Sequence, residues 1–157
     1  MTRPRRPALG DKPMMPPTYM MIAVVVMVVL HLAVPLAGLA HAPITWLGAP
    51  FIGVGLILNF WADYLFRKHR TTVKPFGRPS ALIEEGPFQL SRNPMYLGIV
   101  LAAIGVAMLL GTLSPFLIVV VLVWLLTTRF IAVEEAALED EFGSAWHAYR
   151  RQIRRWV

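Results

Sequence analysis

Arg92-Asn93-Pro94-Met95-Tyr96 sets a cation, an Asn-Pro pair and an aromatic ring directly before a long apolar run. Asn93 suits the N-cap of a helix and Pro94 its first position, where a missing N–H costs nothing. A helix starting there presents free backbone N–H groups and the positive end of its dipole, which attract an anionic group. Gly86-Pro87-Phe88 adds a turn and a second aromatic shortly before, and Glu134-Glu135 adds two carboxylates after a second apolar run. Arg129 contributes a further cation just ahead of them. These residue types suit the grip of a charged soluble molecule: donors for an anion, carboxylates for an ammonium or hydroxyls, and ring faces for a cation.

Taken singly, each has a plainer reading. Arg92 is also what the positive-inside rule places beside a membrane span, and Phe88 and Tyr96 are also interfacial aromatics. Arg129 is also a snorkelling cation, and Glu134-Glu135 also favours a helix N-terminus. The elements that carry these residues decide whether they meet.

Of the 157 residues, 57% are hydrophobic, and the apolar residues come in long blocks, which predicts a polytopic, all-α integral membrane protein. Cysteine is absent, excluding disulfides, Cys-based metal sites and thiol nucleophiles. His31, His41, His69 and His147 have no ligand-like spacing, so no metal is expected. The net charge of +6 resembles a nucleic-acid signal, but the basic residues lie beside apolar segments, and no nucleic-acid partner is expected.

Residues 1–17 are rich in Pro and Arg and predict a disordered cytoplasmic tail; residues 18–157 form one domain. Spans are expected at about 20–39, 44–66, 94–111 and 115–131, with Pro35 kinking the first. Ala40-His41-Ala42 has the form of a signal-peptide cleavage site, but the apolar run before it is longer than such peptides carry. Asn59 and Asp63 share one face of the second span; Asp63 is either a functional carboxylate or one solvated or paired with Arg67. Residues 67–93, with Pro75, Gly77, Pro79, Gly86 and Pro87, predict a folded cytoplasmic lid loop rather than a helix. Small residues at Gly98, Ala102, Ala103, Ala107 and Gly111 predict close helix contacts. From about 133 to 156, Leu138, Phe142, Ala145, Trp146, Tyr149, Ile153 and Trp156 recur at helical spacing, an amphipathic C-terminal helix on the bilayer surface that Gly143 breaks in two. All fifteen Lys and Arg fall in the N-terminal tail, the 67–93 loop, or from Arg129 in the last turn of the fourth span onward, and the two outer turns carry none, so both termini are expected on the cytoplasmic side. That topology gathers the Asn-Pro helix start, the loop, Arg129 and Glu134-Glu135 at one level beside the lipid.

In order, Gly86-Pro87-Phe88, Arg92-Asn93-Pro94-x-Tyr96-x-Gly98, a helical hairpin, Glu134-Glu135-x-x-Leu138-x-x-x-Phe142-Gly143 and Tyr149 resemble the isoprenylcysteine carboxyl methyltransferase and phospholipid methyltransferase superfamily of integral membrane enzymes. The resemblance covers about residues 80–157. It implies S-adenosyl-L-methionine as cofactor, bound without a Rossmann domain. It also implies methyl transfer to a lipidic or amphiphilic acceptor, an isoprenylcysteine-like carboxylate or a phospholipid amine, at the cytoplasmic face. By the resemblance Leu82, Phe88, Asn93, Pro94, Met95, Tyr96 and Glu134 match cofactor-contacting positions, with Arg92 and Glu135 beside them. Most relatives carry His where this chain has Asn93, which keeps open a catalytically silent membrane scaffold or binding protein. The family's substrate arginine falls near Phe130, so Arg129, offset by one residue, is the candidate substrate anchor. The implied chemistry is displacement of a sulfonium methyl by an oxygen, nitrogen or sulfur nucleophile. No residue stands out as a general base, which tilts the expected acceptor toward one that arrives deprotonated.

Overall fold

The computed structural model describes residues 14–71 and 79–157. The predicted disordered tail lies outside them as far as residue 13, as does the part of the loop holding Pro75 and Gly77. Helix α1 spans Pro16–Ala33, α2 Gly48–Lys68, α3 Pro94–Leu110 and α4 Ser114–Leu126. A π-type turn over Thr127–Ile131 runs directly into α5 (Ala132–Phe142), and α6 follows over Ser144–Gln152. Among the described residues the chain is all-helical, with no named strand and a single bridge between Gly38 and Thr112.

Three stretches are long and apolar enough to cross a membrane: Pro16–Ala33, Ile44–Lys68 and Ser114–Phe142. Their outward faces carry Leu32, Phe60, Val120 and Trp124 almost bare. A continuous apolar surface of this kind is stable in lipid, not in water. The fourth apolar helix, α3, has only 17 residues, about 25 Å at the helical rise. It packs against α1, α2 and α4, and Tyr96, Ile99, Val100, Ala103 and Ala107 are buried along it.

The first helix is shifted from its expected bounds. Pro16 and Pro17 open it, because proline tolerates a helix's first turn, and Ala33 ends it. Pro35 is therefore a stop rather than a kink: its ring drives the preceding residue out of the helical region, and Val34 sits at φ −141°, ψ 69°. The chain then crosses the ends of α3 and α4, where Leu39 N–H donates to the Gly111 carbonyl at 2.8 Å and Leu113 N–H to that of Ala37 at 2.9 Å.

Helices α2 and α3 form the most extensive pair, and glycine makes it possible. A Cβ on Gly55 would lie 2.4 Å from the Gly98 carbonyl oxygen, and one on Gly48 would lie 2.2 Å from that of Gly105. The backbones meet where no side chain fits, as small-residue rows permit. This contact carries Asn59 and the end of α2 up to the start of α3.

The C-terminal region departs from one expectation. No break separates the fourth apolar stretch from the tail, since the π turn joins α4 to α5 without a loop. Gly143, at φ +48°, does part α5 from α6, but the aromatic face of α6 packs into the protein instead of facing outward. Trp146 is 1% and Tyr149 4% exposed, both held inside the protein. After α6 the chain extends at Ile153 and returns along the start of α3.

Candidate functional site

The Asn93-Pro94 start of α3 forms as the residue types dictate, with Pro94 at the first helical position and Asn93 before it. Its capping differs from expectation. The Asn93 side chain makes no cap hydrogen bond. Its amide instead donates to the Arg155 carbonyl at 3.2 Å, which Ser91 Oγ also reaches at 3.0 Å, while Arg92 N–H donates to the Arg154 carbonyl at 3.0 Å. The acceptor that draws the Asn93 amide away from the cap belongs to the returning C-terminal segment, 62 residues along the chain, which no local pattern announces.

Beside this junction a cavity of about 210 Å³ opens between α2, α3, α5, α6 and the loop before α3. Leu82, Phe88, Arg92, Asn93, Pro94, Met95, Tyr96 and Glu134 all line it, so the structure brings together eight of the residues singled out in the sequence. Glu134 accepts a hydrogen bond from the Tyr96 hydroxyl at 2.6 Å, joining α5 to α3 across the wall. Phe88 lies on a 3₁₀ turn over Gly86–Gln89, its ring edge-on to Phe66 at 5.5 Å. Ile83 and Phe88 are buried against Ala62 and Leu65 of α2, which folds this part of the loop down as one wall.

Glu135 is next to Glu134 but points elsewhere, as successive helical residues must. Its buried carboxylate takes Arg92 Nη2 at 3.1 Å and both Nε and Nη2 of Arg155. Burial lowers the Arg92 guanidinium from its usual value and the Glu135 charge opposes that, so Arg92 stays cationic. Its side chain is 7% exposed and lies over the Trp146 ring, 5.4 Å from the centroid. Among the described residues, Arg92 Nε and Nη1 and Trp146 Nε1 are buried without a hydrogen-bond partner. These are three buried donor nitrogens with no acceptor, on two residues that line the cavity, a costly arrangement unless an acceptor arrives.

Arg129 does not join this group. It is exposed and absent from the cavity wall, whereas its neighbour Phe130 is 1% exposed and packs against the rings of Tyr19 and Tyr96 at 5.4 and 6.1 Å. The π turn sends Phe130 inward and Arg129 out. Asp63 pairs with Arg67 at 2.8 Å at the end of α2 and does not reach the cavity. Its partner on the same face, Asn59, does reach it, while donating to the Gly55 carbonyl at 2.8 Å.

Sequence reasoning missed Trp146, Leu138 and the Met15-Pro16-Pro17 start of α1 as lining residues. Their signal was present for the first two, since the apolar face of the C-terminal segment needs a partner; lipid was assigned where the protein itself supplies one. Tyr149 lines the cavity too and donates to the Phe88 carbonyl at 2.7 Å. Burial raises its hydroxyl well above the usual phenol range, so it remains a donor. Among the described residues no three His, Asp or Glu side chains converge as metal ligands would.

Comparison of the sequence with known proteins places this helical bundle in a family. The chain belongs to the phospholipid methyltransferase family, whose pattern covers residues 43–145. It is 32% identical to a protein-S-isoprenylcysteine O-methyltransferase of Schizosaccharomyces pombe over 72 residues, 46% of this chain and 30% of that enzyme. It is likewise 32% identical to an uncharacterized protein of Haemophilus influenzae over 63 residues, 40% of this chain and the whole of that protein. No solved structure shows a significant match.

Proposed function

We propose that this protein transfers a methyl group from S-adenosyl-L-methionine to a lipidic or amphiphilic acceptor at the cytoplasmic face of a membrane. The observation that carries the reading is the trio of buried, unpartnered donors on Arg92 and Trp146, set in one chamber with the Tyr96–Glu134 pair. Three donors and no acceptor suit a carboxylate, and a nearby glutamate suits an ammonium or ribose hydroxyls. The cofactor has all of these groups, so the residues present fit it. Arg92 and Trp146 would hold its carboxylate, and Glu134 its amino or ribose end. Phe88, Met95 and Leu82 give apolar surface for the base. Bound there, the cofactor supplies a methyl group on a sulfonium, already a good leaving group.

The protein's own part is then alignment and exclusion of water. The folded loop residues Ile83 and Phe88 close the chamber from one side, and Ile99 and Leu138 line it with apolar surface that suits an acceptor with a hydrocarbon body. Four membrane crossings with both ends cytoplasmic agree with the placement of Lys and Arg, all of it away from the two turns that join α1 to α2 and α3 to α4. Arg129 belongs, in this reading, to the lipid headgroup level, where an exposed cation is at home.

The test is binding of radiolabelled S-adenosyl-L-methionine to detergent-solubilised protein, with Glu134→Gln alongside. Saturable binding weakened by the substitution is expected. Absence of saturable binding in the parent protein would overturn the reading in favour of a silent scaffold. A methyl-transfer screen over lipid extracts then identifies the acceptor.

A further inference from the structure

Arg92 lines the chamber and keeps two nitrogens, Nε and Nη1, unpaired only if its guanidinium is held in one orientation. The holder is visible. Glu135, 9% exposed at its side chain, takes Arg92 by Nη2 alone, leaving Nε and Nη1 unpaired. The same carboxylate is gripped on both oxygens by Arg155, through Nε at 3.2 Å and through Nη2. A two-point fork fixes the plane of a carboxylate, which a single contact does not. The Arg155 backbone is fixed in turn, because its carbonyl accepts from Ser91 Oγ at 3.0 Å and Asn93 Nδ2 at 3.2 Å. Two cations therefore share one carboxylate, and the excess positive charge is left on the arginine that lines the chamber.

We infer that Arg155, acting through Glu135, is a positioning residue that presents Arg92 to an anionic group of the ligand. Resting on the functional reading above, this makes recognition of the cofactor's carboxylate depend on a residue outside the family match at 43–145. Arg155 does not line the chamber, so it acts on the ligand only by way of Arg92. Without it, Glu135 turns freely and takes Arg92 by two N–H groups instead of one, withdrawing a donor from the chamber.

The experiment compares two ligands on the full chain in detergent: S-adenosyl-L-methionine and its decarboxylated form, which lacks only the carboxylate. In Arg155→Met, affinity for the first is expected to fall on the order of tenfold, the scale of one charge-assisted hydrogen bond, while affinity for the second stays at the parent level. Glu135→Gln is expected to show the same split, and Arg155→Lys to recover part of the loss. Equal weakening of both ligands in these variants would mean a merely structural role and overturn the inference, as would parent-like binding of both. A parent protein that binds neither ligand instead overturns the cofactor reading on which the inference rests.

Discussion

The hydroxyl of Tyr149, near the end of α6, donates to the backbone carbonyl of Phe88, 61 residues earlier, at 2.7 Å. The bond is buried and ties the C-terminal helix to the turn that forms one wall of the chamber. It places Phe88 from outside its own loop, because the 3₁₀ turn over Gly86–Gln89 has no side-chain cap. Tyr149→Phe keeps the ring packed on Trp146, 5.8 Å away, and strands the carbonyl. A loss of about 1–3 kcal/mol is expected, the cost of one unsatisfied buried group. Thermal unfolding in detergent, followed by intrinsic fluorescence, measures it.

The α2–α3 contact gives a sharper test because a control glycine lies on α2, the partner helix, away from the contact. A Cβ on Gly98 would fall 2.2 Å from Asn59 Nδ2 and 2.5 Å from the Gly55 carbonyl oxygen. Gly98→Ala must push the helices apart, with about 1–3 kcal/mol of destabilisation expected from overpacking. Gly53, in α2, has nothing within 4 Å of such an atom. Gly53→Ala is expected to be neutral or to stabilise by up to about 1 kcal/mol through helix propensity. Equal melting temperatures for the two variants would contradict the packing account.

These two contacts mark what the sequence could and could not disclose. Apolar runs, the Pro94 start and the small-residue rows are local patterns, and they announced the helices and the α2–α3 approach. The site was legible where the motif residues lie within one turn of a helix end, as Asn93 to Tyr96 do. It was not legible where a residue's partner lies far along the chain. Asn93 was expected to cap α3 and instead bonds a carbonyl 62 residues away. The α6 aromatics were assigned to lipid, because periodicity shows that a face is apolar but not what covers it. Pro35 was expected to kink a helix that it ends, since no local pattern separates a kink from a stop.

Glu85 ties the loop to α2 by accepting from Lys68 Nζ at 2.7 Å and lying 2.8 Å from His69 Nε2. Those two contacts, Lys68 first, hold its carboxyl below the usual carboxylate range. A depressed folded value means that the tie is fully present above the ordinary carboxylate pKa and is lost as pH falls through the folded one. Limited proteolysis across residues 79–85 is therefore expected to quicken only in acid for the parent protein. Glu85→Gln is expected to be cut faster already at neutral pH and to show little further change on acidification.

Tyr96 lines the chamber and Arg129 does not. Tyr96→Phe removes the donor that orients Glu134 and is expected to weaken binding of S-adenosyl-L-methionine by roughly tenfold. Arg129→Gln, at an exposed position off the chamber wall, is expected to leave it unchanged within about twofold. Equilibrium binding in nanodiscs compares the two, and the opposite ranking would return Arg129 to the site.

The wide turn at Thr127–Ile131 holds one residue more than an ordinary helical turn. Deleting a single residue there would restore regular winding and swing everything beyond it by about 100° around the axis. Glu134 would leave Tyr96, and Glu135 would leave Arg92, although every one of those side chains would still be encoded. Register in this stretch thus matters as much as identity: a one-codon deletion in an apolar run, the kind of change usually dismissed as harmless in lipid, is enough to dismantle the chamber.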